Sequence, residues 1–96
     1  MPIYQVTPIG NNRDALARAV TTTINERDRI PLQNNMGWFV DFDGTTIELS
    51  NTLGVTGQAK GEISPVGSTL ITAVTSYYGR GPTDMWEWLK IRFERN

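Results

Sequence analysis

Histidine and cysteine are both missing from this chain of 96 residues. Without cysteine there can be no disulfide, no thiolate metal site and no thiol nucleophile. Without histidine the chain lacks the commonest general base and the commonest ligand of transition metals. A serine nucleophile would also lack the imidazole that usually activates it. The composition therefore favours a non-enzymatic protein, and we assign no catalytic residue, no metal site and no cofactor.

Long apolar runs and a dominant charge are missing as well. No apolar run approaches the ~20 residues that a membrane span needs, and the N-terminus shows no signal-peptide pattern. Nine basic and ten acidic residues give a formal net charge of -1. That balance provides no global attraction to nucleic acid or to an anionic membrane. We expect one soluble, cytoplasmic domain over residues 1–96, without a membrane partner.

The first third of the chain has the pattern of a strand followed by a helix. Residues 3–7 lie between prolines at positions 2 and 8, which suit the end of a strand or the edge of a sheet. Leu16, Val20 and Ile24 then recur every four residues, the spacing of a helical stripe that faces a core. The spacing predicts a helix over about residues 12–26.

Residues 38–49 have the pattern of a β-hairpin. Asp43-Gly44 suits a two-residue type I′ turn, and the flanking residues alternate between apolar and polar. In this pairing Trp38 faces Leu49 and Val40 faces Ile47, on the side that meets the core. We therefore predict an α+β fold. Its small antiparallel sheet contains the N-terminal strand plus the 38–49 hairpin, with two or three helices packed on one face.

The segment Phe39-Val40-Asp41-Phe42-Asp43-Gly44-Thr45-Thr46 also resembles the first motif of the haloacid dehalogenase superfamily of phosphotransferases, an apolar strand that ends in Asp-x-Asp-Gly-Thr. The resemblance implies that Asp41 is the nucleophile and Asp43 the acid/base, beside a bound magnesium ion. That superfamily needs further acidic ligands on a later strand. No aspartate occurs between Gly44 and Thr83. We therefore favour the interpretation of Asp43-Gly44 as a hairpin turn.

Three further segments connect or extend these elements. Arg27-Asp28-Arg29 is typical of a solvated loop. Glycines at 54, 57, 61 and 67 predict a flexible loop over about residues 51–67, with room for one short strand. Residues 66–78 are ambiguous, because threonine, isoleucine and valine favour a strand whereas the apolar spacing favours a helix. We predict a helix there and keep the strand as the alternative.

The last segment predicts a helix that begins at Thr83 or Asp84. Its core face contains Met85, Trp86, Leu89 and Phe93, while other side chains fall on the rim. Trp88, Arg92 and Arg95 follow one another at i, i+4 and i+7, with Ile91 beside them. Tryptophan and arginine are enriched at the energetic centres of protein interfaces. The alternative is that another segment of the chain covers Trp88.

Four more residues complete the candidate sites. Phe39 lies on the outer face of the predicted hairpin and is a second candidate for protein contact. Tyr77, Tyr78 and Arg80, which precede the last helix, are candidates for ligand contact. Packing within the core is the alternative role of the two tyrosines.

The function that these observations favour is that of a small interaction protein that self-associates as a homodimer, because two-fold association is the commonest assembly. One alternative is a nucleic-acid accessory module that uses Arg80, Lys90, Arg92 and Arg95 with an aromatic side chain for stacking. Acidic residues interleave with these cations, which weakens that reading. A second alternative is a small-ligand protein with its site under the glycine-rich loop.

Overall fold

The computed structural model describes residues 2–95, and the side chains of residues 2–93. The elements follow in the order β1 (Ile3–Pro8), α1 (Arg13–Thr23), β2 (Arg29–Pro31), β3 (Trp38–Asp41), α2 (Thr46–Leu53), β4 (Thr69–Val74) and α3 (Thr83–Arg95). Short 3₁₀ turns precede β2 and β3, over Glu26–Asp28 and Gln33–Asn35. The strands form one antiparallel sheet in the order β2-β3-β1-β4. The α+β prediction is therefore confirmed.

One face of the sheet forms the main core with α1 and α2. Successive side chains of a strand point to opposite faces, and Tyr4, Val6 and Val40 all point to this one. Leu16 and Val20 of α1 are fully buried against them, as the four-residue spacing predicted. Leu49 and Leu53 do the same from α2. Two helices thus share one face of the sheet.

The opposite face carries α3. Ile3 and Asp41 are cross-strand partners and point away from Val40, and Asp41 receives a hydrogen bond from Arg92 of α3. Leu89, one turn before Arg92, is buried. The helix prediction for the last segment is confirmed. No helix among residues 2–95 combines the length and the apolar character that crossing a membrane would require.

The predicted return strand of the 38–49 hairpin is wrong, because α2 occupies its place. Thr45 and Glu48 form a capping box: the Thr45 hydroxyl accepts from the Glu48 N–H and the Glu48 carboxylate accepts from the Thr45 N–H. This box satisfies two backbone donors that a helix start leaves open. The alternation after Gly44 is therefore coincidental. Ile47, which the hairpin placed in the core, is 73% exposed.

The predicted helix over residues 66–78 is also wrong, since Thr69–Val74 is strand β4. All six residues pair with β1, from Ile3 opposite Val74 to Pro8 opposite Thr69. The strand preference of the threonine, isoleucine and valine side chains prevails here, because the backbone groups of β1 are available for pairing with residues 69–74. The glycine-rich segment from Gly54 to Ser68 links α2 to β4, and the described residues contain no strand within it.

Candidate interaction surface

Two of the predicted interaction residues on α3, Trp88 and Arg92, make most of their contacts within the chain. Arg92 Nη1 donates to Asp28 Oδ1 at 2.8 Å and to Asp41 Oδ2 at 3.0 Å. Its Nη2 donates to the carbonyl of Arg27. The indole Nε1–H of Trp88 donates to the same carbonyl at 3.1 Å. The guanidinium carbon also lies 5.6 Å from the centre of the Trp88 ring, within the range of a cation–π contact.

We call the contacts of Arg92 with Arg27, Asp28 and Asp41 the Arg92 corner. They correct the prediction that Arg27-Asp28-Arg29 is a solvated loop. The segment is a 3₁₀ turn that continues into β2, and it provides a carboxylate and a carbonyl to α3. Arg29 Nη1 donates to the carbonyl of Ile24, which ties the start of β2 to the end of α1. A solvated loop would not make these contacts. The segment therefore fastens α3 to the sheet and covers part of Trp88.

The three remaining predicted interaction residues differ in their exposure. Ile91 is 54% exposed. Phe39 is half-buried in β3, between Gln5 of β1 and Ile30 of β2. The side chain of Arg95 lies outside the described residues. The structure thus leaves Ile91 accessible to a partner and Phe39 partly covered.

The predicted ligand residues also have different environments. Tyr77 packs on α3, with its ring centre 5.4 Å from that of Trp86 and 4.9 Å from that of Phe93. Tyr78, its neighbour, is fully exposed. Arg80 is exposed and lines a cleft with Gln5 and Thr7 of β1. Packing accounts for Tyr77, whereas Arg80 remains available to a ligand.

The segment that resembles the phosphotransferase motif has the local context of that motif, a strand followed by a turn and a helix. Asp41, however, is buried and already paired with Arg92. Its other oxygen, Oδ1, is buried without a hydrogen-bond partner among the described residues. The sheet around it is antiparallel, whereas that superfamily has a parallel one. Asp41 here is the buried half of an ion pair.

A surface that the sequence did not indicate lies along strand β4. This strand is one edge of the sheet, and within residues 2–95 only β1 pairs with it. The carbonyl of Ser68 accepts from the N–H groups of Ile9 and Gly10, so the backbone of Ser68 faces β1. Since backbone direction alternates along a strand, Thr69, Ile71 and Ala73 direct their N–H and C=O groups away from β1, along the open edge.

The two edges of the sheet differ in how they are protected. β2 has three residues, begins at Arg29 and ends at Pro31, and a charge and a proline both discourage further pairing. β4 has six residues without charge or proline. Open, uncharged edges of this kind are templates for pairing with another chain.

Beside β4, on the face that carries α2, lies an open cleft of about 460 Å³. Ile47 and Ile71 are its apolar residues, and its remaining lining is uncharged: Thr46, Ser50, Asn51 and Thr56. Ile47 is one of the most exposed large apolar side chains in the protein. We call the β4 edge together with this flank of α2 the edge surface. It combines a strand edge, with which no described strand pairs, and the exposed side chain of Ile47 beside the half-buried Ile71.

One signal in the sequence could have identified the edge surface. Between Leu49 and Gly79 only Lys60 and Glu62 are charged, although charged residues make up 20% of the chain. Depletion of charge marks the central part of protein interfaces. The predicted site under the glycine-rich loop has a counterpart in a second cleft, lined by Ile9, Val55 and Ile63 with small residues. None of the described residues that line that cleft carries a titratable side chain.

The remaining findings concern metal binding and similarity to known proteins. Within the described residues, no three acidic side chains lie close enough to hold a metal ion together. No protein-family model, curated protein or solved structure matches the chain. Its function is therefore inferred from the geometry of its own residues.

Proposed function

We propose that this protein is a non-enzymatic interaction protein that self-associates as a homodimer through the edge surface. The observation that carries the proposal is the open β4 edge, which continues into the exposed apolar flank of α2. The sequence had suggested the rim of α3 for this role. Trp88 and Arg92 now have partners within the chain, so we assign the interface to β4 and α2 instead.

The strand itself is suited to pairing with a second copy. Two β4 strands that are related by a two-fold axis perpendicular to the sheet run antiparallel. Each residue then lies opposite a residue of the other copy, and the two side chains point to the same face of the sheet. With Ile71 on the axis, Thr69, Ile71 and Ala73 of each copy meet residues that also direct their backbone outwards. This register makes about six backbone hydrogen bonds, two for each hydrogen-bonded pair. The result is a continuous eight-stranded sheet.

The side chains support the same arrangement. Ile71 of one copy would face Ile71 of the other, and α2 of each copy would approach α2 of the second copy across the axis. Ile47, exposed in the isolated chain, would then be covered. Among the described residues, none that lines the cleft between α2 and β4 is charged, so the cleft lining itself brings no like charges together across the axis. Covering one isoleucine stabilises an assembly by about 1.5 kcal/mol or more.

The test is the solution mass of the protein and of matched glutamate variants. Sedimentation velocity should give twice the 10.8 kDa chain mass at concentrations between about 1 and 100 µM, a range typical of moderate dimers. Ile47→Glu should weaken the dimer at least about 100-fold, because each copy loses about 1.5 kcal/mol of burial and the new charges repel each other. Glutamate in the first turn of α2 is compatible with the helix.

Ile91→Glu is the control, since it places the same charge on an exposed isoleucine of α3. It should leave the dimer intact. Ala73→Pro should also give a monomer, because it removes an outward N–H and leaves the ladder to β1 in place. A monomeric parent protein would contradict the proposal. A dimer that Ile91→Glu dissociates and Ile47→Glu does not would return the interface to α3.

The two alternatives have weaker support. A nucleic-acid module would need Trp88 and Arg92 at the surface, and both are engaged with Arg27, Asp28 or Asp41. A ligand site under the glycine-rich loop would have only hydroxyl and backbone groups to recognise a polar ligand. The cytoplasmic location expected from the sequence stays a prediction.

A further inference from the structure

A third cleft, separate from the two described above, lies on the face of the sheet opposite α2. It measures about 270 Å³. Gln5 and Thr7 of the central strand β1 form its floor, since they share the sheet face of Ile3 and Asp41. Its walls are the β2–β3 connection at 32–36 and the turn at 80–82, with Met85 of α3. We call it the amide cleft. It does not involve the β4 edge.

The charge of the amide cleft is that of a single cation. Among the described residues that line it, Arg80 is the one charged residue and none carries a carboxylate. The uncharged polar groups are two glutamines, an asparagine and a threonine: Gln5, Gln33, Asn34 and Thr7. Their amide N–H₂ and hydroxyl groups can all donate hydrogen bonds to an anion. The described part of the lining is therefore rich in donors and has no anionic acceptor.

The polar groups of the amide cleft contrast with the Arg92 corner on the same face. Arg92 donates to two carboxylates and a carbonyl. In the described part of the chain, none of the side-chain hydrogen bonds involves Arg80, Gln5 or Thr7. Gln5 and Thr7 line the cleft and are half-buried rather than buried. Their polar groups are therefore open to a ligand in the cleft.

The backbone around the amide cleft is held in an uncommon conformation. Asn34 and Asn35 have positive φ angles of 58° and 57°, a left-handed conformation that asparagine adopts more readily than most residues other than glycine. A hydrogen bond of 2.8 Å from the Leu32 N–H to the Gly37 carbonyl closes the connection that contains them. This conformation places Gln33 and Asn34 beside the floor formed by β1.

The remaining walls are apolar and adaptable. Met36, Met85, Leu32 and Pro82 line the cleft, and methionine side chains adjust to ligands of different shape. The volume falls just below the range of about 300–1,000 Å³ found for drug-sized ligands. The occupant is therefore small, with a charged end and a short apolar body.

We propose that the amide cleft binds a small organic carboxylate, with the carboxylate at Arg80 and the amide side chains and the apolar body against Met36 and Met85. The guanidinium fork matches a carboxylate in a bidentate arrangement. One cation also balances one negative charge, which favours a carboxylate over a doubly charged phosphate ester. Since the amide cleft does not include the edge surface, the proposal of a carboxylate site does not depend on the proposal of a homodimer.

The experiment is an NMR titration of the full chain with hexanoate, with its uncharged analogue hexanamide, and with inorganic phosphate. Hexanoate should shift the amide resonances of Gln5, Thr7 and Arg80 and the methyl resonances of Met36 and Met85. Hexanamide should bind about tenfold more weakly, because it makes no charge-assisted hydrogen bond. Inorganic phosphate should bind more weakly than hexanoate, because it has no body to contact the methionines.

Matched variants make the test specific to the cleft. Arg80→Gln should reduce hexanoate affinity about tenfold, whereas Arg18→Gln, at an exposed position on α1, should not change it. Shifts confined to other parts of the protein would overturn the proposal. So would equal affinity for hexanoate and hexanamide, phosphate binding as tight as that of hexanoate, or an unchanged affinity in Arg80→Gln.

Discussion

Replacing Arg92 with leucine should be among the most destabilising changes at a charged position in this protein. The side chain of Arg92 is 13% exposed and that of Asp41 only 4%. Leucine keeps the helix preference of the position but leaves the Asp41 carboxylate buried without a counter-charge. Breaking a buried ion pair in this way costs about 3–5 kcal/mol. Small domains have a total stability of about 5–15 kcal/mol, so the loss would be a large part of it.

The network around Arg92 predicts an order of effects. Asp28→Asn should cost about 1 kcal/mol or less, because Asp28 is the more exposed carboxylate and Arg92 keeps Asp41. Asp41→Asn should cost about 1–3 kcal/mol, since the amide oxygen can still accept a hydrogen bond from Nη1. The double variant Asp41→Leu/Arg92→Leu should be more stable than Arg92→Leu alone, because no unpaired charge stays buried.

Urea unfolding followed by circular dichroism measures these differences. All variants should carry Ile47→Glu as well, because self-association would otherwise add to the apparent stability. Arg18→Leu on the outer side of α1 is the control and should stay within about 0.5 kcal/mol of the parent. A loss below about 1 kcal/mol for Arg92→Leu would refute the view that Arg92 neutralises a buried charge. An equal loss for Asp28→Asn would refute it as well.

Two further predictions concern local structure and use the same unfolding assay. Thr45→Ala should lower the free energy of unfolding by about 1–2 kcal/mol, because it removes the hydroxyl of the α2 capping box. Thr46→Ala is the control and should change the free energy of unfolding little. Equal effects of the two variants would mean that the capping box contributes nothing. Gly37→Ala should cost more than about 2 kcal/mol, because Gly37 has a φ of +125° and a Cβ would lie 2.0 Å from the Val6 carbonyl oxygen. Gly61→Ala is the comparison, with a positive φ and no atom within 4 Å; a similar cost at both positions would show that backbone conformation alone decides.

The elements that the sequence predicted well are those whose signals are local. Leu16 and Val20 fix the inward face of α1 by their spacing, and prolines mark the ends of β1. The start of α3 at Thr83 follows a glycine- and proline-rich turn. In each case neighbouring residues carry the information, so no distant contact is needed to read it.

The two wrong elements had competing local signals. Thr45 and Glu48 have the spacing of a capping box, a signal that the hairpin prediction from Asp43-Gly44 and the alternation around it did not include. For residues 69–74 the decision depends on β1, whose nearest paired residue, Pro8, precedes Thr69 by 61 positions. Sequence periodicity cannot report such a partner. The edge surface was missed for the same reason, because it exists only once β4 is a strand.

The Arg92 corner shows a different limit. Spacing identified Trp88 and Arg92 as neighbours on one helix face, and composition marked them as candidates for an interface. The groups that meet them, at Arg27, Asp28 and Asp41, come from two distant segments. Those segments look like a solvated loop and a turn when they are read alone.

The position of β1 has a consequence for how the sheet forms. β1 comes before the other three strands in chain order, yet it lies in the interior of the sheet and needs both β3 and β4 as neighbours. Ile3 obtains its β4 neighbour only when Val74, 71 residues further along the chain, is in place, and Asp41 obtains its counter-charge only when Arg92 of α3 has docked. Every pairing of β1 therefore joins distant segments of the chain. Non-local pairing of this kind is slow, so we expect the sheet to form slowly for a domain of this size.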